Sequence, residues 1–199
     1  MQDYIIEPKK GFKGKRKYEM LDGKIYAMAS PATSHNKVIG NIHNIFRNFL
    51  KGKPCQVFLD GVDVKLDEKN TVIPDVMIVC NRDIIKHDAI YGVPDLIVEV
   101  LSPSTAKRDI SYKKDLYARH GVREYWIVNA ADRSIQVYLL NDGAYKFDNM
   151  YQIYEDWYLK KMDEDEIAEI MMEFKLSLPG FEELIISVEE VFENVELGT

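Results

Sequence analysis

Ile73-Pro-Asp-Val-Met-Ile-Val79, Asp95-Leu-Ile-Val-Glu-Val-Leu101 and Asp109-Ile-Ser-Tyr-Lys113 fall within one stretch of the chain, and its reading decides the fold. The first two are apolar runs of strand length. The second is almost unbroken in Leu, Ile and Val, the pattern of a strand buried on both faces. Each run still carries a carboxylate, Asp75 in one and Glu99 in the other. An ionised carboxylate in a buried strand costs on the order of 3 kcal/mol or more unless a cation or hydrogen bonds compensate. Alternate residues of a strand share a face, which groups Asp75, Met77 and Val79 on one strand and Asp95, Ile97, Glu99 and Leu101 on the other. If the strands are neighbours, Asp75 and Glu99 converge on one divalent ion. A hard cation such as Mg²⁺ takes carboxylate oxygens, backbone carbonyls and water.

Ser102-Pro-Ser-Thr105 breaks the strand, Ser104 or Thr105 can cap a helix, and Gly121 ends that helix after His120. At 100° per residue, Ala106, Asp109, Ile110, Lys113, Leu116, Tyr117 and His120 make one stripe. A helix laid on a sheet should bury an apolar stripe. This one points Lys113 inward, with Asp109 and Tyr117 four residues away on either side. An inward ammonium requires a carboxylate partner or a functional reason. By this pattern Asp109 reads as an acid placed by the helix dipole and Tyr117 as core packing.

Outward from that stretch, Asp22-Gly23 between strand formers predicts an N-terminal hairpin whose first arm carries Glu19. Ser34 is a candidate N-cap for an amphipathic helix reaching Leu50, with His35 in its first turn. Strands are expected at 55–59, 61–66, 124–128 and 135–140, and a loop at 81–93. In the tail, Ile167, Ile170, Met171 and Phe174 recur at helical spacing over 164–174. Leu178-Pro-Gly-Phe181 reads as a turn, and Ser187-Val-Glu-Glu190 as a capping box for a last short helix. The order is that of an α/β protein: a mixed β-sheet flanked by helices, with the Lys113 helix crossing over it.

At 199 residues and 46% apolar, the chain reads as one domain over 1–199 with a sizeable core. Residues 155–199 carry 14 acidic and 3 basic residues, a balance of −11. The whole chain stands at −7, so residues 1–154 are left at +4 and the acidity belongs to a C-terminal extension. Lys9, Lys10, Lys13, Lys15, Arg16 and Lys17 cluster near the start, and 1–14 reads as a flexible basic arm. No apolar run reaches the ~18 residues of a membrane helix, and the first residues lack the order of a signal peptide. Cys55 and Cys80 are too few for a disulfide framework and read as small core residues, which points to a reduced, cytoplasmic protein.

Several of these features coincide with a known pattern. Pro74-Asp75 followed by Glu99 resembles the Pro-Asp…(Asp/Glu)-x-Lys nuclease superfamily, except that Leu101 stands where its lysine belongs. Tyr18-Glu19…Asp22-Gly23, Ser30-Pro31…His35, Glu99-Val-Leu-Ser-Pro-Ser-Thr105, Asp109-x-x-x-Lys113-x-x-x-Tyr117, Gly121-Val-Arg-Glu-Tyr-Trp126 and Leu178-Pro-Gly together resemble a narrower group, the Uma-two family of restriction endonucleases. The resemblance spans 18–181 and implies a restriction-endonuclease-like core in which the lysine role has moved to the helix, onto Lys113. It implies a Mg²⁺-dependent DNA endonuclease, with Mn²⁺ as a substitute, in which Asp75, Glu99 and the carbonyl of Val100 hold the ion. Glu19, through metal-bound water, and His35, as proton carrier or phosphate contact, would complete the site with Lys113. A homodimer follows from the need to cut two strands.

Two other readings stand beside this one. A non-catalytic nucleic-acid-binding or assembly module would use the same fold and keep Glu99 and Lys113 as a structural pair. A glycosidase would need two carboxylates but leaves the inward Lys113 unexplained. The acidic tail would repel DNA, so it is expected to pack away from Asp75 and Glu99, with a homodimer interface as one place for it.

Overall fold

Pro74 divides the chain between two sheets. In the computed structural model, residues 17–28, 30–103 and 105–196 are described. The basic arm expected over 1–14 and the capping candidate Ser104 lie outside the described residues. The hairpin β1 (Tyr18–Leu21) and β2 (Lys24–Ala27) precedes helix α1 (Thr33–Phe49), which is followed by β3 (Gln56–Leu59), β4 (Val64–Lys65), β5 (Thr71–Val72) and β6 (Val76–Val79). A 3-10 turn (Arg82–Ile84) and β7 (Ile90–Tyr91) lead to β8 (Leu96–Val100). A π-helix (Arg108–Lys113) then runs into α2 (Lys114–His120), followed by β9 (Glu124–Asn129), β10 (Ser134–Asn141) and β11 (Ala144–Gln152). The tail holds α3 (Asp156–Leu159), α4 (Glu164–Ala168), β12 (Glu173–Phe174), β13 (Ile186–Ser187) and α5 (Val188–Val191).

The larger sheet has the order β11-β10-β9-β8-β6-β3 and is mixed, with β8 and β9 parallel and its other pairs antiparallel. The smaller has the order β2-β1-β5-β4-β7. Proline has no N–H to give to a ladder. The chain therefore leaves the small sheet after β5 and enters the large one at β6, between β3 and β8. The expectation that the strand proper starts near Asp75 holds.

Alternation along the central strands sorts two cores. Leu96, Val98 and Val100 of β8 face α1 with Val76, Ile78, Trp126 and Val128. Ile97 of β8 faces the α2 side with Met77, Val79, Tyr125, Ile127, Leu116 and Tyr117. The tail completes the first core. Phe174, Leu176, Phe181, Ile186, Val188 and Val191 are buried there, with Phe174 5.0 Å from the Trp126 ring and Phe181 5.4 Å from Phe49. Asn41 of α1 donates to the carbonyls of Val191 and Glu193 at 3.0 and 2.9 Å. The acidic extension thus packs on the sheet face opposite Glu99.

Several local expectations are corrected. Helix α1 starts at Thr33 after Ala32, without a side-chain cap, so Ser34 lies inside its first turn. The expected loop at 81–93 contains β7, which pairs with β4, and the strand expected at 61–66 shortens to β4. The helix expected over 164–174 stops at Ala168, where Asp163 and Glu166 form the capping box at its start. Phe174 goes instead into β12, where it pairs with Ile186 and reaches the core, while Ile167 and Met171 stay exposed. The last helix forms, but Ser187 makes no side-chain cap bond. Cys55 and Cys80 are joined in a disulfide rather than standing as separate reduced core residues. The antiparallel register Gln56↔Val79 sets them directly opposite each other.

Candidate active site

The register Val76↔Val98 of β6 and β8, carried one residue further, sets Asp75 opposite Glu99. Asp75 Oδ2 accepts the backbone N–H of Val100 at 2.7 Å. Its strand start is thereby tied to the strand that carries Glu99. The hairpin brings Glu19 to the same place, with Oε1 accepting the N–H of Ile73 at 3.0 Å. The π-helix then delivers the cation. Lys113 Nζ lies 2.7 Å from Glu19 Oε1, 2.9 Å from Glu99 Oε1 and 3.5 Å from Asp109 Oδ1. Tyr117 of α2 donates to Glu99 Oε1 at 2.6 Å, and Tyr125 donates to the Asp109 carbonyl at 3.0 Å. From the start of α1, His35 Nε2 reaches Asp75 Oδ2 at 3.3 Å.

A π turn carries the inward lysine. Its i→i+5 register breaks the 100° stripe. Asp109 and Lys113 are buried, but Ile110, expected inward with them, is 46% exposed. Such turns recur at functional sites.

Three carboxylates surround one ammonium, with Asp75 opposite Glu99 as a fourth, and almost none of this reaches solvent: Glu19 is 1% exposed, Asp75 5%, Glu99 3%, Asp109 1% and Lys113 2%. Burial pushes the Glu99 carboxyl well up. Lys113 opposes this, while the charges of Asp109, Asp75 and Glu19 add to it. Asp109 is raised in the same way. Burial would lower Lys113, but Glu19, Glu99 and Asp109 overcome it and hold the ammonium charged. His35 is also raised: burial opposes, and the hydrogen bond and charge of Asp75, a backbone bond to Val100 and the charge of Asp60 prevail. Three buried atoms of the cluster have no hydrogen-bond partner: Glu19 Oε2, His35 Nδ1 and Asp109 Oδ1.

The structure therefore gathers Glu19, Asp75, Glu99, Lys113 and His35, the five side chains singled out in the sequence, together with the Val100 backbone. It adds Asp109, read there as a dipole acid, and Tyr117, read there as packing. The spacing that revealed both was already present, four residues on either side of Lys113. Among the described residues, no three His, Cys, Asp or Glu side chains are arranged to hold a metal ion. Asp75, Glu99 and the Val100 carbonyl offer two carboxylates and a carbonyl, which are hard-cation donors when joined by water.

A family model described as "Putative restriction endonuclease", Uma2, matches residues 2–161. The chain belongs to the Uma2 family. An uncharacterized protein of Synechocystis sp. is 32% identical over 132 residues, covering 65% of this chain and 70% of its own. A crystal structure of a putative nuclease belonging to DUF820, from Anabaena variabilis, superposes with a TM-score of 0.67 at 15% identity, covering 88% of this chain and 89% of that one. At that identity the likeness concerns the fold. This Uma2 chain thus has the fold of that protein, a mixed α/β arrangement with helices on its sheets, and the N-terminal hairpin read from Asp22-Gly23. None of its helices is long and apolar enough to cross a membrane among the described residues.

Proposed function

We propose that this Uma2 protein is a Mg²⁺-dependent endonuclease hydrolysing DNA phosphodiester bonds, with Mn²⁺ as a substitute. The observation that carries the reading is the meeting of Asp75 and Glu99 on adjacent strands, with a lysine from the crossing helix on Glu99. The arrangement supports membership of the Pro-Asp…(Asp/Glu)-x-Lys superfamily with the lysine supplied by Lys113 instead of position 101. The residues fit a hard divalent cation. The donors are oxygens, negative charge exceeds positive, and Glu19 Oε2 is a buried acceptor without a partner. Asp75, Glu99 and the Val100 carbonyl would hold the ion, with Glu19 reaching it through water. When bound, it would polarise a phosphoryl oxygen and acidify a water.

The chain's own residues supply the rest. Lys113, held charged by three carboxylates, would neutralise charge developing on the phosphate. Tyr117 holds Glu99 by its hydroxyl and fixes the carboxylate's orientation. His35, its pKa raised beside Asp75, is placed to carry a proton to a leaving oxygen or to contact a phosphate. A homodimer would present two such sites to the two strands.

One observation favours a second reading. The cluster is closed, with each of its acids and its lysine at most 5% exposed. That suits a structural ion cluster in a non-catalytic nucleic-acid-binding or assembly module. Calorimetry with Mg²⁺ and Mn²⁺ on the wild type, Asp75→Ala and Glu99→Ala, with plasmid nicking in the same buffers, separates the two. Metal binding and nicking lost together in both variants support the nuclease. Millimolar metal that neither binds nor promotes nicking, with DNA present, leaves the structural cluster.

A further inference from the structure

Beside the carboxylate cluster sits a cation that none of it uses. Arg108 opens the π-helix that ends at Lys113. Asp109 follows it in the chain, and its stacking partner lies beside Glu19, yet among the described residues Arg108 forms no ion pair. Its guanidinium lies over the ring of Tyr26, 4.9 Å from the centroid. Its Nε is buried without a hydrogen-bond partner. Tyr26 is the direct cross-strand partner of Glu19, whose carboxylate touches Lys113. The Arg108–Tyr26 stack is therefore built on two of the elements that form the cluster, the hairpin and the π turn. Arg108 and Tyr26 are half-buried, whereas Glu19 and Lys113 are closed off. The stack marks where the cluster approaches solvent.

We propose that Arg108, laid on Tyr26, binds a backbone phosphate of the nucleic acid next to the one cleaved. This rests on the nuclease reading of the site and names a substrate contact for it. The chemistry is specific to the arrangement. A nucleic acid approaching four carboxylates meets repulsion that Lys113, already shared among three of them, does not offset. A further cation at the rim lowers that barrier. Arginine suits the place because its planar fork meets phosphate oxygens in pairs, while an aromatic face restrains it with few lost rotamers. An arginine meant to stabilise the fold would be expected to pair with a carboxylate, and among the described residues Arg108 pairs with none.

The test is fluorescence anisotropy of a labelled DNA duplex titrated with full-length protein over a range of KCl, in EDTA so that cleavage does not intervene. Arg108→Ala should weaken binding about ten-fold or more and shallow the salt dependence by about one phosphate contact. Arg108→Lys should keep the salt slope and recover part of the affinity, because the charge remains and the fork is lost. Tyr26→Leu, which leaves Arg108 intact but unsupported, should weaken binding by less than Arg108→Ala. A change in salt slope is not produced by a merely structural role, and melting curves of each variant identify any that fail to fold. Wild-type affinity and slope in Arg108→Ala would overturn the assignment of Arg108 while leaving the nuclease reading in place. A wild type that binds no DNA in EDTA would overturn the phosphate contact, while nicking with Mg²⁺ decides the nuclease reading separately.

Discussion

The ammonium of Lys113 lies 2.7 Å from Oε1 of Glu19 and so fastens the π turn to the N-terminal hairpin. The same nitrogen serves Glu99 at 2.9 Å, and both carboxylates are buried. Removing the cation leaves them without a counter-charge, whatever the site does for function. Lys113→Met is expected to cost about 3–5 kcal/mol, the usual penalty for breaking a buried ion pair from one side. Urea unfolding of the variant against the wild type reads this directly. A loss below about 1 kcal/mol, the size of an exposed pair, would mean that the carboxylates accept protons and need no lysine.

How much of this was visible beforehand follows from which forces act locally. Strand β8 and its odd glutamate were legible because a doubly buried strand must be apolar, so one charge stands out. The hairpin and the end of α2 were legible because Asp22-Gly23 and Gly121 adopt positive φ there, which few other residues accept. The π turn was not, since periodicity assumes 100° per residue, and Ile110 was assigned the wrong side. Phe174 was misread because its place beside Trp126 is a long-range gain that overrides helical spacing. The Cys55–Cys80 link needed the β3–β6 register, which no local pattern contains. Within the site, Glu19, Asp75, Glu99, Lys113 and His35 were found by pattern. The hydrogen bond from Tyr117 required knowing how closely α2 lies on the sheet.

Tyr117 is a test of that last contact. Its hydroxyl donates to a buried carboxylate at 2.6 Å. Tyr117→Phe keeps the ring against Tyr125, 5.3 Å between centroids, and deletes only the donor. The expected loss is about 1.5–3 kcal/mol, as for hydrogen bonds to charged groups. Denaturant unfolding measures it. An unchanged midpoint would show that Glu99 finds another donor or stays protonated without this one.

The link between Cys55 and Cys80 closes a loop with a sequence separation of 25. Protein unfolded in guanidinium without reductant is expected to show no reactive thiol, and two after reduction, when titrated with a chromogenic disulfide. The double variant Cys55→Ser, Cys80→Ser should be less stable by about 3.5 kcal/mol, the chain-entropy value for a loop of this size. Two thiols titrating before reduction would show that the pair remains open in solution.

Glu124 gives the pH dependence its sign. It is fully buried on the α1 side of the sheet, where it accepts Trp126 Nε1–H at 2.7 Å and the Ser177 N–H at 2.8 Å, so it joins β9 to the tail. Burial raises its carboxyl from 4.5 to about 7, against the pull of those two donors. Between these values the folded chain holds a proton that the unfolded chain has released. Stability from this group is therefore complete below about pH 4.5, falls as pH rises, and is gone above about pH 7. The full fall corresponds to about 3 kcal/mol. Glu124→Gln cannot titrate, and its unfolding free energy should lack this fall. Urea titrations of both proteins at intervals from acid to neutral pH give the difference. A wild-type curve parallel to that of Glu124→Gln would place the proton elsewhere and leave Glu124 ionised in the fold throughout.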